Sequence, residues 1–250
     1  MDLSGKRALI TGGTRGIGAA VALDLAAGGA DVVINGRADD KAARETMRHI
    51  ESLGRKCRLV VADMARGDDA DRCVDESASL LRGLDVLVHC AGGPSPGRIE
   101  DVAPEQWEQT FAVHVHAAYH LCRRALPVMR KNKEGAIVLV SSAAGIRGCP
   151  NILAYGTVKG AILHFTRMLA RDVADDNIRV NCVAPGIIRT RFHDPMTPEQ
   201  QAHNLKNRIP LHREGTVDDV AQAVRLLVTN EFMTGETVVV DGGMSMQITR

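Results

Sequence analysis

Tyr155-Gly156-Thr157-Val158-Lys159 places a phenol and an ammonium four residues apart, on one face of a helix if the segment is helical. A tyrosine hydroxyl is a poor acid at neutral pH, with an ordinary pKa of about 10. A nearby positive charge favours the phenolate and lowers that value. The pair is therefore a candidate for giving a proton to a carbonyl oxygen or taking one from an alcohol. The chain has one other tyrosine, Tyr119, followed at the same spacing by Arg123, which cannot lose its proton. Taken alone, the Tyr155 spacing is far more often an ordinary helix feature. Its weight comes from the rest of the chain.

A second constellation lies near the N-terminus. Arg7–Thr11 is a short apolar run that reads as a buried strand, and Thr11-Gly12-Gly13-Thr14-Arg15-Gly16-Ile17-Gly18 follows at once. Residues 19–27, rich in Ala, Leu and Val, read as a helix stopped by Gly28-Gly29. Glycines between strand and helix let the backbone approach a pyrophosphate, whose charge is favoured at a helix N-terminus. The spacing is G-x-x-x-G-x-G, so Gly12, Thr14, Arg15, Gly16, Ile17 and Gly18 are the candidate phosphate cradle. The second strand, 31–35, ends in Gly36-Arg37, where a site selecting NAD carries an acid for the ribose 2′-hydroxyl. Here the acid is absent, and Arg37 and Arg15 offer charge to a 2′-phosphate. NADP is the expected cofactor, with NAD the alternative. Asp39 and Asp40 stand close enough to blunt the positive field.

Strand and helix patterns alternate from end to end of the 250 residues, with no linker, repeat or low-complexity break. Such alternation implies a doubly wound parallel sheet covered by helices on both faces, here in one domain spanning 1–250. The 31 basic and 30 acidic residues leave a net charge of +1, and no basic stripe interleaved with aromatics suggests nucleic acid. No apolar run reaches the length of a bilayer span, and residues 1–6 have no signal-peptide core. A cytoplasmic protein that binds neither membrane nor nucleic acid is expected. The six cysteines include no C-x-x-C pair and read as buried reduced thiols. His116 and His120 have metal-ligand spacing but no third ligand nearby, so no metal site is expected. Trp107 and Phe111, one turn apart, read as packing.

With both constellations in hand, the chain resembles the short-chain dehydrogenase/reductase family over nearly its whole length. Thr11-Gly12-x-x-x-Gly16-x-Gly18 is similar to the family's cofactor turn. Asp63, after a third strand at 58–62, matches the acid that meets the adenine ring. Ala91-Gly92, after a fourth strand at 86–88, match the end of the N-N-A-G element. Ser142, thirteen residues before Tyr155, matches the catalytic serine. Pro185-Gly186-Ile187-Ile188-Arg189-Thr190 resembles the P-G-x-I-x-T turn that holds the nicotinamide, and 238–243 resembles the last strand and its turn. The resemblance implies a Rossmann-type α/β fold of about seven strands. It also implies hydride transfer between a nicotinamide and a small-molecule carbonyl or secondary alcohol, with Tyr155 as acid/base, Ser142 holding the oxygen and Lys159 binding the nicotinamide ribose. By the same resemblance, 190–213 is the substrate lid. The helices at 104–130 and 153–174 would pair with their copies in a homotetramer.

Two elements depart from the family pattern. N-N-A-G reads His89-Cys90-Ala91-Gly92, which leaves open what hydrogen bonds surround the fourth strand. The helix asparagine of the catalytic tetrad falls on His114. If its imidazole carries the proton relay through Lys159 to Tyr155, a group titrating near pH 6–7 is expected. Two other functions compete. One is a 3-oxoacyl-thioester (acyl carrier protein) reductase, which would need a basic docking face such as Arg123, Arg124, Arg130, Lys131 and Lys133. The other is a non-catalytic nucleotide-binding sensor or scaffold, against which stand the retained Ser142, Tyr155 and Lys159.

Overall fold

The computed structural model describes residues 1–194 and 196–246, with the backbone alone at position 193. Seven strands form one parallel sheet: β1 (Arg7–Thr11), β2 (Asp31–Gly36), β3 (Cys57–Val61), β4 (Val86–His89), β5 (Gly135–Val140), β6 (Ile178–Pro185) and β7 (Thr237–Val240). Their order is β3-β2-β1-β4-β5-β6-β7, so the expected doubly wound α/β sheet is what the chain forms. Successive side chains of a strand point to opposite faces. Ile10, Val32, Ile34 and Val88 thus pack with α1 (Gly16–Ala27), α2 (Lys41–Ser52) and α8 (Val217–Thr229). Leu9, Val33, Leu87 and Ile137 pack with α3 (Gly67–Leu81), α5 (Ala117–Asn132) and α6 (Leu153–Val173). Each fully buried aliphatic side chain of this kind contributes about 1.5–3 kcal/mol.

The chain runs outward from β1 through β2 to β3, then returns to β4 on the other side of β1. That reversal opens a crevice beyond the carboxyl ends of β1 and β4, the place where α/β sheets bind ligands. The glycine turn, Arg37, Asp63, Ala91-Gly92, Ser142 and the Pro185–Thr190 turn lie beyond carboxyl ends of this sheet, Tyr155 and Lys159 lie on the first turns of α6, and His114 lies deeper in a helical segment.

The helix expected over 104–130 is not regular. It divides into α4 (Pro104–Phe111), a π-helical turn Ala112–His116, and α5. A π-turn inserts one residue into the helical ladder and widens it. Here it carries His114, which is 2 % exposed. Trp107 and Phe111 pack as expected, with ring centroids 4.9 Å apart. The segment 190–213 forms a short 3-10 turn, Arg191–His193, then α7 (Pro198–His203) behind a Thr197 capping box, then a second π-turn, Asn204–Arg208.

Candidate active site

The glycine turn between β1 and α1 is built for close approach of a ligand backbone. A Cβ at Gly12 would meet Ala91 at 2.9 Å, and one at Gly18 would meet the Gly12 carbonyl at 2.2 Å. Arg15 is the N-cap of α1 and gives no side-chain cap, and the first turn holds no acid. The N–H groups of that turn therefore face the crevice without a local anion. The residues fit a dinucleotide pyrophosphate on this observation. Asn35 fixes the turn from below. Its amide donates to the carbonyls of Val60 and Ala62, each at 3.1 Å, and its backbone carbonyl accepts from Gly13 N at 3.0 Å. Sequence reasoning missed Asn35; a polar residue ending an otherwise apolar strand was the available signal.

At the end of β2 the two arginines differ. Arg37 makes no hydrogen bond or ion pair with another described residue, whereas Arg15 is paired with Asp40. A Cβ at Gly36 would lie 2.6 Å from Thr14 Cγ2, so any larger residue there must displace Thr14 of the glycine turn. Asp63 closes a local turn by accepting from Ala65 N at 3.0 Å beyond β3. Across the crevice, the Pro185-Gly186 turn leads to Thr190, whose methyl would sit 3.7 Å from a Cβ at Gly16. Gly186 itself packs on Asp241, and Ile188 is buried. The turn after β6 and the turn after β1 therefore converge.

Ser142, Tyr155, Lys159 and His114 also converge. Ser142 caps the 3-10 turn Ala143–Gly145, accepting from Ala144 N at 3.2 Å. Tyr155 and Lys159 lie on the first turns of α6. That helix is held against the end of β5 by Ser141, whose hydroxyl donates to the Lys159 carbonyl at 2.6 Å. Burial pushes the Tyr155 hydroxyl up to about 12, and a hydrogen bond with Ser142 pulls in the opposite direction. The expectation that Lys159 lowers Tyr155 is corrected in this arrangement. The ammonium lies 5.6 Å from the Tyr155 ring centroid and donates to the Val140 carbonyl at 2.8 Å. Burial brings Lys159 itself down to about 8, so it is still charged at neutral pH.

His114 sits edge-on to Tyr155, with ring centroids 5.8 Å apart. Its Nε2 is 3.2 Å from the Gly93 carbonyl, which can only accept, so Nε2 carries the proton and Nδ1 is a bare acceptor. That Nδ1 is buried and has no partner among the described residues. Burial, and then the charge of Lys159, drives the imidazole down to about 2. The expected titration near pH 6–7 is therefore corrected: this ring stays neutral throughout the working range. Gly92 is matched to it, since a Cβ there would lie 2.1 Å from His114 Cε1.

The departure at the end of the fourth strand is accommodated by a bond to the first. His89 Nδ1 lies 2.7 Å from the Thr11 hydroxyl, whose oxygen accepts from Ala91 N at 3.2 Å. A histidine thus ties β1 to β4 in place of an asparagine, held neutral near 4 by burial. From the 190–213 segment, Phe192 reaches Tyr155, with ring centroids 5.7 Å apart. Ile209 is buried in a small apolar cluster with Ala143, Ile187 and Met244, and Met196 and Leu205 pack against it. The His193 side chain falls outside the described atoms. His116 and His120 gather no metal site: His120 faces Asp71 at 3.3 Å, and no metal-binding cluster occurs among the described residues. All six cysteines are free, with Cys90 and Cys149 partly exposed and the other four buried. No helix among the described residues is long and apolar enough to cross a membrane.

The fold and this site define a Rossmann-type oxidoreductase. A family described as enoyl-(acyl carrier protein) reductase matches residues 12–245. The chain belongs to that family, within the short-chain dehydrogenases/reductases. It is 36% identical over 250 residues to an uncharacterized oxidoreductase of Thermotoga maritima, covering 97% of this chain and 98% of that one. Among solved structures, a short-chain dehydrogenase of Burkholderia cenocepacia J2315 in complex with NADP superposes with a TM-score of 0.91 at 33% identity, over 98% of this chain and 99% of that one. A short-chain type dehydrogenase/reductase of Mycobacterium marinum gives 0.92 at 32% identity, over 98% of each.

Proposed function

We propose that the protein is an NADP(H)-dependent oxidoreductase acting on a carbonyl or secondary alcohol, with Tyr155 as the acid/base. The observation that carries this reading is the convergence at the start of α6 of Tyr155 with the Lys159 ammonium, 5.6 Å from its ring, and with the edge of His114, ring centroids 5.8 Å apart. Bound there, the nicotinamide would supply or accept the hydride. The chain's own residues would handle the proton. A tyrosine held near 12 is fully protonated at neutral pH, which suits a donor to an oxygen that is becoming an alkoxide. Ser142 would hold that oxygen by a hydrogen bond. Lys159 would, in its family role, hold the ribose. His114 Nδ1 offers a fixed acceptor for a water leading toward Lys159, without ever titrating.

Arg37 and Arg15 support NADP over NAD, as does the NADP complex of the Burkholderia relative. The segment 190–213 serves as the lid, with Phe192 over Tyr155. The thioester-reductase reading draws on the description of the matching family. Against it, Arg124 is paired with Asp75 and Arg130 with Asp176, which neutralises two cations of the candidate carrier-docking face. For assembly we keep the homotetramer. Leu121, Ala125 and Ile162 of these helices are buried against the sheet, while Tyr119 and Met168 remain on the outer surface of α5 and α6.

The test is a turnover screen with NADPH and NADH against ketones, sugars, diketones and acetoacetyl thioester, read at the cofactor absorbance. NADPH-dependent turnover of a ketone or diketone is expected. Binding of NADPH with no turnover across the panel contradicts the enzyme reading and leaves the sensor.

A further inference from the structure

Five charged residues surround the mouth of the crevice beyond β2: Arg15, Arg37, Asp39, Asp40 and Arg44. Two acids against three cations leave one net positive charge, while a ribose 2′-phosphate brings close to two negative ones. The pairing within this group is unequal. Asp39 is occupied by Arg44, accepting from its Nε at 2.9 Å and its Nη2 at 3.3 Å, on the exposed start of α2. Asp40 does two things at once. Its Oδ1 accepts from Ala43 N at 2.9 Å and so caps α2, while its Oδ2 engages the guanidinium of Arg15. Arg15 belongs to the glycine turn, so Asp40 reaches across from one cofactor-facing element to the other. Arg37 alone is uncommitted among these three arginines.

We propose that Asp40 is a specificity-determining residue that weakens NADP(H) binding by competing with the 2′-phosphate for Arg15. This rests on the NADP(H) reading above and adds to it. When a phosphate enters between Arg15 and Arg37, Arg15 must leave the carboxylate, and the freed Asp40 then stands beside a like charge. When the ribose carries only a hydroxyl, Arg15 stays on Asp40 and nothing is lost. The carboxylate therefore narrows the gap between the two cofactors and keeps the site tolerant of NAD(H). An exposed ion pair is a small effect, and the repulsion of an exposed like charge is of the same order. Together they correspond to roughly a 3- to 10-fold change in affinity.

Asp40→Asn separates this role from the helix cap, because asparagine caps a helix as well as aspartate does. Asp40→Ser, also a capping residue, is the second variant. Calorimetric titration of NADPH and NADH at low ionic strength, where such pairs are least screened, gives the readout without turnover. Both variants should bind NADPH about 3- to 10-fold more tightly and NADH within about 2-fold of the native protein. In an Arg15→Ala background the gain should fall to about 2-fold or less, and Asp39→Asn should move neither cofactor by more than that. Unchanged or weaker NADPH binding in both Asp40 variants overturns the proposal while leaving the NADP(H) reading intact. A native protein that binds NADH more tightly than NADPH overturns that reading and the proposal with it.

Discussion

Gly92→Ala tests whether His114 is seated as tightly as its contacts imply. The new Cβ would lie 2.1 Å from His114 Cε1, whereas ordinary van der Waals contact begins near 3.4 Å. The neighbour is a ring enclosed by Tyr155 and the Gly93 backbone rather than the loose end of a flexible chain. The imidazole must therefore retreat by more than 1 Å, which breaks its 3.2 Å bond to the Gly93 carbonyl. Overpacking of this kind costs about 1–3 kcal/mol, and a buried donor left unpaired costs a further 1–3 kcal/mol or so. For a chain of this size that lowers Tm by roughly 4–24 °C. Displacement of a group beside the reacting centre by about 1 Å should lower kcat by roughly 100-fold. Replacing His114 by the shorter asparagine in the same chain should recover part of both losses. Differential scanning calorimetry and steady-state kinetics read the two effects. A Gly92→Ala protein with native Tm and kcat refutes the tight seating of His114, and so does a double variant no better than the single one.

Three further outcomes follow from the same contacts. Because burial holds His114 near 2, kcat from pH 5 to 9 should show no limb at 6–7; His114→Asn should superimpose on the native profile, while His114→Leu should lower kcat roughly 10- to 100-fold. A limb near pH 6–7 that vanishes in the Asn variant would contradict the neutral ring. Burial raises Cys57, Cys73, Cys90 and Cys122 from 9.0 to about 12 and Cys182 to about 11, so these thiols lose protons first in the unfolded chain, and their stabilisation is complete below pH 9 and is lost as pH rises toward 12. Lys159, lowered from 10.5 to about 8, acts in the opposite direction between those values. The net loss between pH 9 and 10 should be on the order of 3–5 kcal/mol by denaturant titration, and a flat profile would show that the thiols are not held in apolar surroundings. Light scattering at low micromolar concentration should give four times the chain mass; a monomer would remove the tetramer.

The sheet and the order of its elements were legible in the sequence because apolar runs and glycine turns are local signals. Arg7–Thr11 and the turn after it read correctly for that reason. Tyr155 and Lys159 were legible because one helical turn separates them, whereas Ser142 was placed by the family resemblance and not by spacing alone. What stayed hidden depends on burial and long-range pairing. No spacing shows that residue 114 sits in a π-turn, and only the enclosure of that turn takes its histidine out of the titrating range. The substitution at His89 was visible as a departure, but its bond to Thr11 spans 78 residues. The same holds for Lys159. Helical spacing placed its charge beside Tyr155, yet the nearest acceptor proved to be a carbonyl of β5, from another part of the chain.

The central claim is that the Tyr155 hydroxyl delivers the proton. Tyr155→Phe removes that hydroxyl and leaves the ring that His114 and Phe192 touch. With the best ketone from the screen, kcat should fall by at least about 100-fold, the range of one positioned proton donor, while NADPH affinity by calorimetry stays within about 2-fold of native. A Tyr155→Phe protein that turns over at the native rate would contradict the account.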